Sequence, residues 1–307
     1  MYKLKRAAGV ILEPVPANPW ESGAVFNPAT IRENEIVHML YRAVEGENFS
    51  TIGYARLDKG GKILDRRDTP LIFREHDYEM HGVEDARITK LGDRYYILYT
   101  GFEGEECRVC MASTSDFVKI EKHGIIIPDI WDKDAMFFPN LINGELVLMH
   151  RIIPNIQLAF FDDMEHVLKV DSAYWKNHIK NLDSHTIMRS EYWWESKKIG
   201  GGAPPIKTKD GWLIIYHGVD NKTVYRAGAA LLDLDDPRKV ISRLPDPILE
   251  PERDYELHGD VPNVVFPEGA VVFDGQLQVY YGCADKVIGL AVADLDELLD
   301  ELSKHKV

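Results

Sequence analysis

The chain has 307 residues, 45% hydrophobic and 28% charged, which supplies apolar surface for a sizeable core and shows no bias toward disorder. Asp and Glu number 50 against 36 Lys and Arg, and the net charge of −14 argues against nucleic acid and against an anionic membrane as partners. Length alone fits two domains or one large all-β or α/β domain.

At the start, Lys3, Lys5 and Arg6 precede an apolar run, Ala7 to Leu12, that stops at Glu13, too short for a signal peptide. No apolar run approaches the roughly 20 residues of a membrane helix, so a cytoplasmic protein is expected. From there an apolar, aromatic-rich strand recurs five times: Val37–Arg42, Tyr95–Thr100, Leu146–Arg151, Trp212–His217 and Leu277–Gly282. Each follows a hairpin turn signal, namely Glu33-Asn34, Gly92-Asp93, Asn143-Gly144, Asp210-Gly211 and Asp274-Gly275. Each precedes a strand carrying an alanine and then an aspartate: Ala55 and Asp58, Ala112 and Asp116, Ala159 and Asp162, Ala230 and Asp233, Ala291 and Asp294. A period of roughly 60 residues suits a four-stranded blade with a long loop, and five such units consume the chain. The expected fold is all-β, a single five-bladed β-propeller over residues 1–307.

Cys107 and Cys110 form a C-x-x-C without a second ligand pair at zinc spacing, so they read as thiols in a strand. With Cys283 they make an odd count that fits a reducing compartment. The segment Asp171–Ile199, with Trp175, Trp193 and Trp194, lengthens the third interval as an insertion or an irregular blade edge. Its aromatics either pack the core or line a sugar site. Period 3.6 appears only in Leu295–Lys304, where Leu298, Leu299 and Leu302 predict one short peripheral helix.

In a propeller the innermost strands border a central channel, so their leading segments converge. Here those segments are Asn27-Pro28, Glu84-Asp85-Ala86-Arg87, Pro139-Asn140, Ala203-Pro204-Pro205 and Pro267-Glu268-Gly269. The second strands add Arg42, Arg151 and His217 at matching positions. A ring of Asp85, two arginines, Lys133 and a histidine suits an anionic small ligand beside a neutral polyhydroxylated one. Strand alternation predicts that Glu84 and Asp85 point to opposite faces, so that only one enters the channel. The distinction matters, because inverting hydrolysis needs an acid and a base about 6.5–9.5 Å apart, whereas phosphorolysis needs only the acid.

These residues, within Ser22–Pro28, Leu40–Arg42, Gly82–Thr89, Lys133-Asp134 with Phe138-Pro139, Met149–Arg151, Lys198–Ile206, Gly211–Gly218 and Tyr281–Asp285, resemble glycoside hydrolase family 130, the β-mannoside phosphorylases and β-mannosidases. The resemblance runs through nearly the whole chain. It implies a five-bladed propeller in which inorganic phosphate attacks the anomeric carbon of a non-reducing β-mannosyl unit with inversion, releasing α-mannose 1-phosphate. By the same resemblance Asp85 is the general acid, acting through a sugar hydroxyl. Lys133, Arg151, His217 and Tyr225 look like the phosphate cradle, and Asn27, Arg42 and Asp285 like mannose ligands. The substrates implied are a β-manno-oligosaccharide and phosphate as co-substrate, with no metal and no cofactor.

Ala86 stands where the family usually has proline, which leaves the subgroup open. Glu268 marks the alternative: reaching the site, it would activate water and make the chain an inverting β-mannosidase; otherwise it is a solvated turn residue before Gly269. A non-enzymatic carbohydrate-binding propeller is the third reading. Linkage, β-1,2 or β-1,4, the acceptor sugar and the oligomeric state, a homo-oligomer included, are set by surface loops that the pattern does not address.

Overall fold

All five predicted second strands form in the computed structural model, which describes residues 2–7, 9–46 and 48–307. Each sits in an antiparallel meander. The first sheet is Ala24–Glu33, Ile36–Val44, Ser50–Asp58 and Ile63–Arg66; the second is Gly82–Leu91, Arg94–Phe102, Cys107–Thr114 and Glu121–Ile127. One parallel pair, Ser50 with Gly82, joins these two. The third sheet is Lys133–Phe137, Leu146–Arg151, Ile156–Phe161 and Thr186–Met188. The fourth has a split first strand, Lys198–Gly201 and Ile206–Lys207, then Trp212–Val219, Tyr225–Leu232 and Val240–Arg243. The fifth runs Val265–Phe273, Gln276–Cys283, Val287–Asp294, and takes its last strand, Lys5–Arg6, from the start of the chain.

The repeat has a local chemical cause. Asn143-Gly144 and Asp274-Gly275 both lie at positive φ, as a two-residue I′ hairpin turn requires. In the first sheet the turn falls one residue later than predicted, at Asn34-Glu35, because Asn34 rather than Glu33 takes the left-handed backbone (φ 55°). The recurrent aspartates close the turn after the third strand. Asp58 Oδ1 accepts from the N–H groups of Gly60 and Lys62, Asp116 from Val118 and Lys119, Asp233 from Asp235 and Asp236, and Asp294 caps the C-terminal helix through Glu297 N–H. In the third unit Asp163, the neighbour of the predicted Asp162, does this by capping a short helix, Met164–Lys169.

A second repeat is invisible in the sequence because its spacing varies. In four sheets a fully buried glutamate accepts from a tyrosine of the second strand and a cation of the fourth. These are Glu21 with Tyr41 and Arg66, Glu79 with Tyr99 and Lys122, Glu195 with Tyr216 and Arg243, and Glu256 with Tyr281 and Arg6. Such networks fix strand register, since any slip would strand a charge in a low dielectric.

The Asp171–Ile199 insertion folds as two helices, Ser172–Lys180 and Leu182–His185, ahead of the fourth strand of the third sheet. Trp175 and Trp194 are core residues whose indole N–H groups bond Ile126 and Pro245 carbonyls; Trp193 is exposed and packs over Arg226. The C-terminal helix, Leu295–Ser303, buries Leu298, Leu299 and Leu302 against the fourth and fifth sheets. All three cysteines are buried and unpaired. Among the described residues no helix is long and apolar enough to cross a membrane.

Candidate active site

The site begins with a defect in the first strands. Their registers slip between Phe26 and Pro28, Glu84 and Arg87, Lys133 and Met136, and Pro267 and Gly269. These bulges turn one polar side chain per sheet out of the ladder: Asn27, Asp85, Asp134 and Glu268. The first three hold φ of 49°, 51° and 57°, a left-handed backbone that Asn and Asp tolerate better than most residues. In the third sheet the predicted equivalent, Pro139-Asn140, instead lies in the bend beyond the strand, and Asp134-Ala135 occupies the bulge. In the fourth there is no slip at this level, Gly200 pairing His217 and Gly201 pairing Tyr216, and Gly202 follows, where a Cβ would come within 2.3 Å of Pro267 O.

The bulge also overturns the alternation expected for Glu84 and Asp85. Both face Arg42: Nη2 lies 2.7 Å from Glu84 Oε1 and Nη1 lies 3.4 Å from Asp85 Oδ1. Only Asp85 of the two lines the cavity.

That cavity, about 190 Å³, brings together all eight residues singled out from the sequence: Asn27, Arg42, Asp85, Lys133, Arg151, His217, Tyr225 and Asp285. Asp134, Lys198, Val261, Val264 and Phe266 complete the lining. Asn27 Nδ2 donates to Asp85 Oδ1 at 2.9 Å. Asp134 ties the cationic wall together, 2.9 Å from Arg151 Nε, 3.2 Å from Arg87 Nη2 and 3.7 Å from His217 Nε2. Arg151 Nη1 is buried with no hydrogen-bond partner among the described residues. An adjoining groove of about 570 Å³ shares Arg42, Val261 and Asp285 and adds Glu45, Asn48, Asp260 and Lys286.

Burial and charge set the protonation states. Burial raises the Asp85 pKa, but Arg42, Lys133 and Arg87 outweigh it and hold the carboxyl below its ordinary value. Burial lifts Asp285 to about 7 against the pull of Arg42. Burial lowers His217 to about 3 despite Asp134, so the imidazole is neutral at physiological pH. Burial, with repulsion from Arg151, lowers Lys198 to about 8. Against burial, Arg151 and Arg87 likewise hold Asp134 well below the usual carboxylate range, so desolvated N–H donors and cations stand beside two ionised carboxylates, Asp85 and Asp134, an arrangement suited to a tetrahedral oxyanion.

Glu268 is not the solvated turn residue that its sequence context suggested. It is fully buried, 2.8 Å from Arg87 Nη1, outside the cavity lining, and burial pushes its pKa well above the usual carboxylate range. A protonated carboxyl tied beneath the site is poorly placed to activate water.

Asp134 and Lys198 escaped the list of candidates drawn from the sequence. A usable signal was the run Gly200-Gly201-Gly202: a Cβ on Gly200 would meet Asp134 Oδ2 at 2.4 Å and His217 Cε1 at 2.5 Å, so the glycines let the site residues approach the strand.

Residues 6–304 match the family described as beta-1,4-mannooligosaccharide phosphorylase, and the chain belongs to glycoside hydrolase family 130. It is 42% identical to the 1,2-beta-oligomannan phosphorylase of Thermoanaerobacter sp. (strain X514), and 44% identical to the beta-1,2-mannobiose phosphorylase of the same organism; each alignment covers 97% of this chain and 99% of the relative. Among solved structures it is similar to beta-1,2-mannobiose phosphorylase from Listeria innocua in complex with beta-1,2-mannobiose, with a TM-score of 0.84 and 27% identity over 98% of this chain and 99% of that one.

Proposed function

We propose that the five sheets are the blades of one propeller spanning residues 1–307, closed by the strand Lys5–Arg6, and that the chain is an inverting β-mannoside phosphorylase. The observation that carries this reading is the cationic wall, Lys133, Arg151 with its unpartnered Nη1, Lys198 and neutral His217, in one cavity with Asp85. Phosphate held there attacks the anomeric carbon; the C1–O glycosidic bond breaks as the phosphate oxygen bonds C1. The proton passes from Asp85 through a sugar hydroxyl to the leaving oxygen.

Against burial, Arg42, Lys133 and Arg87 hold Asp85 below its ordinary pKa, whereas an acid must arrive protonated. Phosphate resolves the conflict: its negative charge offsets Arg42 and Lys133 and raises the Asp85 pKa as the nucleophile binds. The acid is thereby armed by its co-substrate. Asn27, Arg42 and Asp285 read the mannosyl hydroxyls, and the adjoining groove receives the rest of the saccharide. The β-1,2 linkage is favoured by the two relatives above 40% identity, and a cytoplasmic site by three buried, unpaired thiols.

The test is incubation with β-1,2- and β-1,4-mannobiose, with and without phosphate. Phosphate-dependent release of α-mannose 1-phosphate from the β-1,2 disaccharide is expected; mannose release independent of phosphate would reject the reading. Asp85→Asn should lower kcat by about 10³-fold or more while mannobiose still binds by calorimetry.

A further inference from the structure

The third sheet lacks the glutamate–tyrosine–cation cluster of the other four, and what replaces it touches the cavity. At the second-strand position next to the cavity residue, where the first and fourth sheets have Tyr41 before Arg42 and Tyr216 before His217, stands His150 before Arg151. His150 Nδ1 lies 2.7 Å from Asp132 Oδ2, and its Nε2 lies 3.1 Å from His178 Nε2 on the inserted helix Ser172–Lys180. Asp132, His150 and His178 are all buried.

With Asp132 as a carboxylate, the two ring contacts of His150 fix its tautomer. His150 donates from Nδ1 to the Asp132 carboxylate and accepts at Nε2 from His178 Nε2–H. The second oxygen of Asp132 accepts the backbone N–H of Arg151 at 3.0 Å, and Arg151 is the register partner of Lys133, the residue after Asp132. In the second, fourth and fifth sheets the corresponding glutamate instead accepts N–H groups from its own helical turn, Glu79 from Glu75 and His76, Glu195 from Glu191 and Tyr192, Glu256 from Glu252 and Arg253. Those clusters brace a loop. The third one clamps the backbone that carries two cavity cations.

We infer that Asp132, His150 and His178 form a positioning relay for the phosphate cradle, holding Lys133 and Arg151 at the spacing that phosphate requires. The inserted segment exists in part to supply its outer member. This rests on the phosphate reading of Lys133 and Arg151. None of the three side chains lines the cavity, so the relay acts through the strand pair and is distinct from the cradle itself. Displacement of a bidentate group by about 1 Å costs on the order of 100-fold in a positioned reaction, which is the scale on which such a clamp matters.

Steady-state phosphorolysis of β-1,2-mannobiose tests it, with phosphate and mannobiose varied separately. Asp132→Asn should raise the phosphate KM about tenfold and leave the mannobiose KM within about twofold; His178→Gln, a milder change on the helix, should raise the phosphate KM about threefold. Val167→Ala loosens the same core without removing any member of the relay, and should lower Tm with the phosphate KM unchanged. If Asp132→Asn does not fold, His178→Gln carries the measurement. An unchanged phosphate KM in His178→Gln, or phosphate and mannobiose KM values rising together, overturns the relay. Wild-type turnover indifferent to phosphate overturns the functional reading first, and the relay with it, and is seen before any variant is made.

Discussion

Asp285 and Lys198 are the two cavity residues whose protonation falls near working pH, and burial is the leading cause in both. An aspartate raised to about 7 from an ordinary 3.8 is disfavoured in the folded state wherever the unfolded chain would ionise it. Its penalty is absent below pH 4, grows between 4 and 7, and is complete above 7. Asp285→Asn should therefore raise Tm at pH 8 by roughly 2–4 °C, with the gain vanishing near pH 4, while turnover falls; equal gains at both pH values would dismiss the argument. Lys198 works in the opposite sense, losing its charge as pH rises through about 8. The phosphate KM should climb between pH 8 and 10 in the wild type and stay flat in Lys198→Arg, because guanidinium remains charged throughout. His217, neutral from about pH 3 upward, should contribute no step between pH 5 and 8.

Among the elements, the first strands decide the site, and glycines decide how closely those strands meet. Gly202 lies against Pro267 O and Ile215 O, both backbone atoms that cannot rotate away. Gly202→Ala forces the fourth and fifth sheets apart, and urea unfolding should register a loss of about 1–3 kcal/mol. The bulges explain why pattern reading succeeded for some site residues and failed for others. Asn27 and Asp85 sit beside legible neighbours, Pro28 and Arg87, whereas Asp134 has no turn residue to announce it. The strict period of two would have sent Asp85 to the face opposite Glu84; the bulge after Glu84 brings both carboxylates to Arg42.

At the scale of the whole molecule the two ends of the chain meet in the fifth sheet, where Lys5–Arg6 pairs with Ala291 and Val292. Arg6 also completes a buried cluster, 2.7 Å from Glu256, which is fully buried and accepts from Tyr281. Removing the cation leaves that carboxylate unpaired, so Arg6→Ala should destabilise the protein by about 3–5 kcal/mol in chemical denaturation, far more than an exposed arginine would. Glu256 and Glu79 are held below the ordinary glutamate range, against the effect of burial, by Arg6 and Lys122. Their contribution is present above about pH 4.5 and is lost as pH falls through those lowered values.

The sequence by itself determined the five units, and its resemblance to glycoside hydrolase family 130 completed the list of eight cavity residues with Tyr225 and Asp285. Hairpin turns, strand alternation and closing aspartates are local, with fixed spacings that a linear pattern records. The tertiary structure decided what depends on contacts between units. It placed Asp134 and Lys198 in the cavity and tied Glu268 to Arg87, and it set Asp132 and His150 against the backbone of Arg151. Those contacts join residues separated by variable loops, and burial at them, rather than residue type, sets which carboxyls keep their protons.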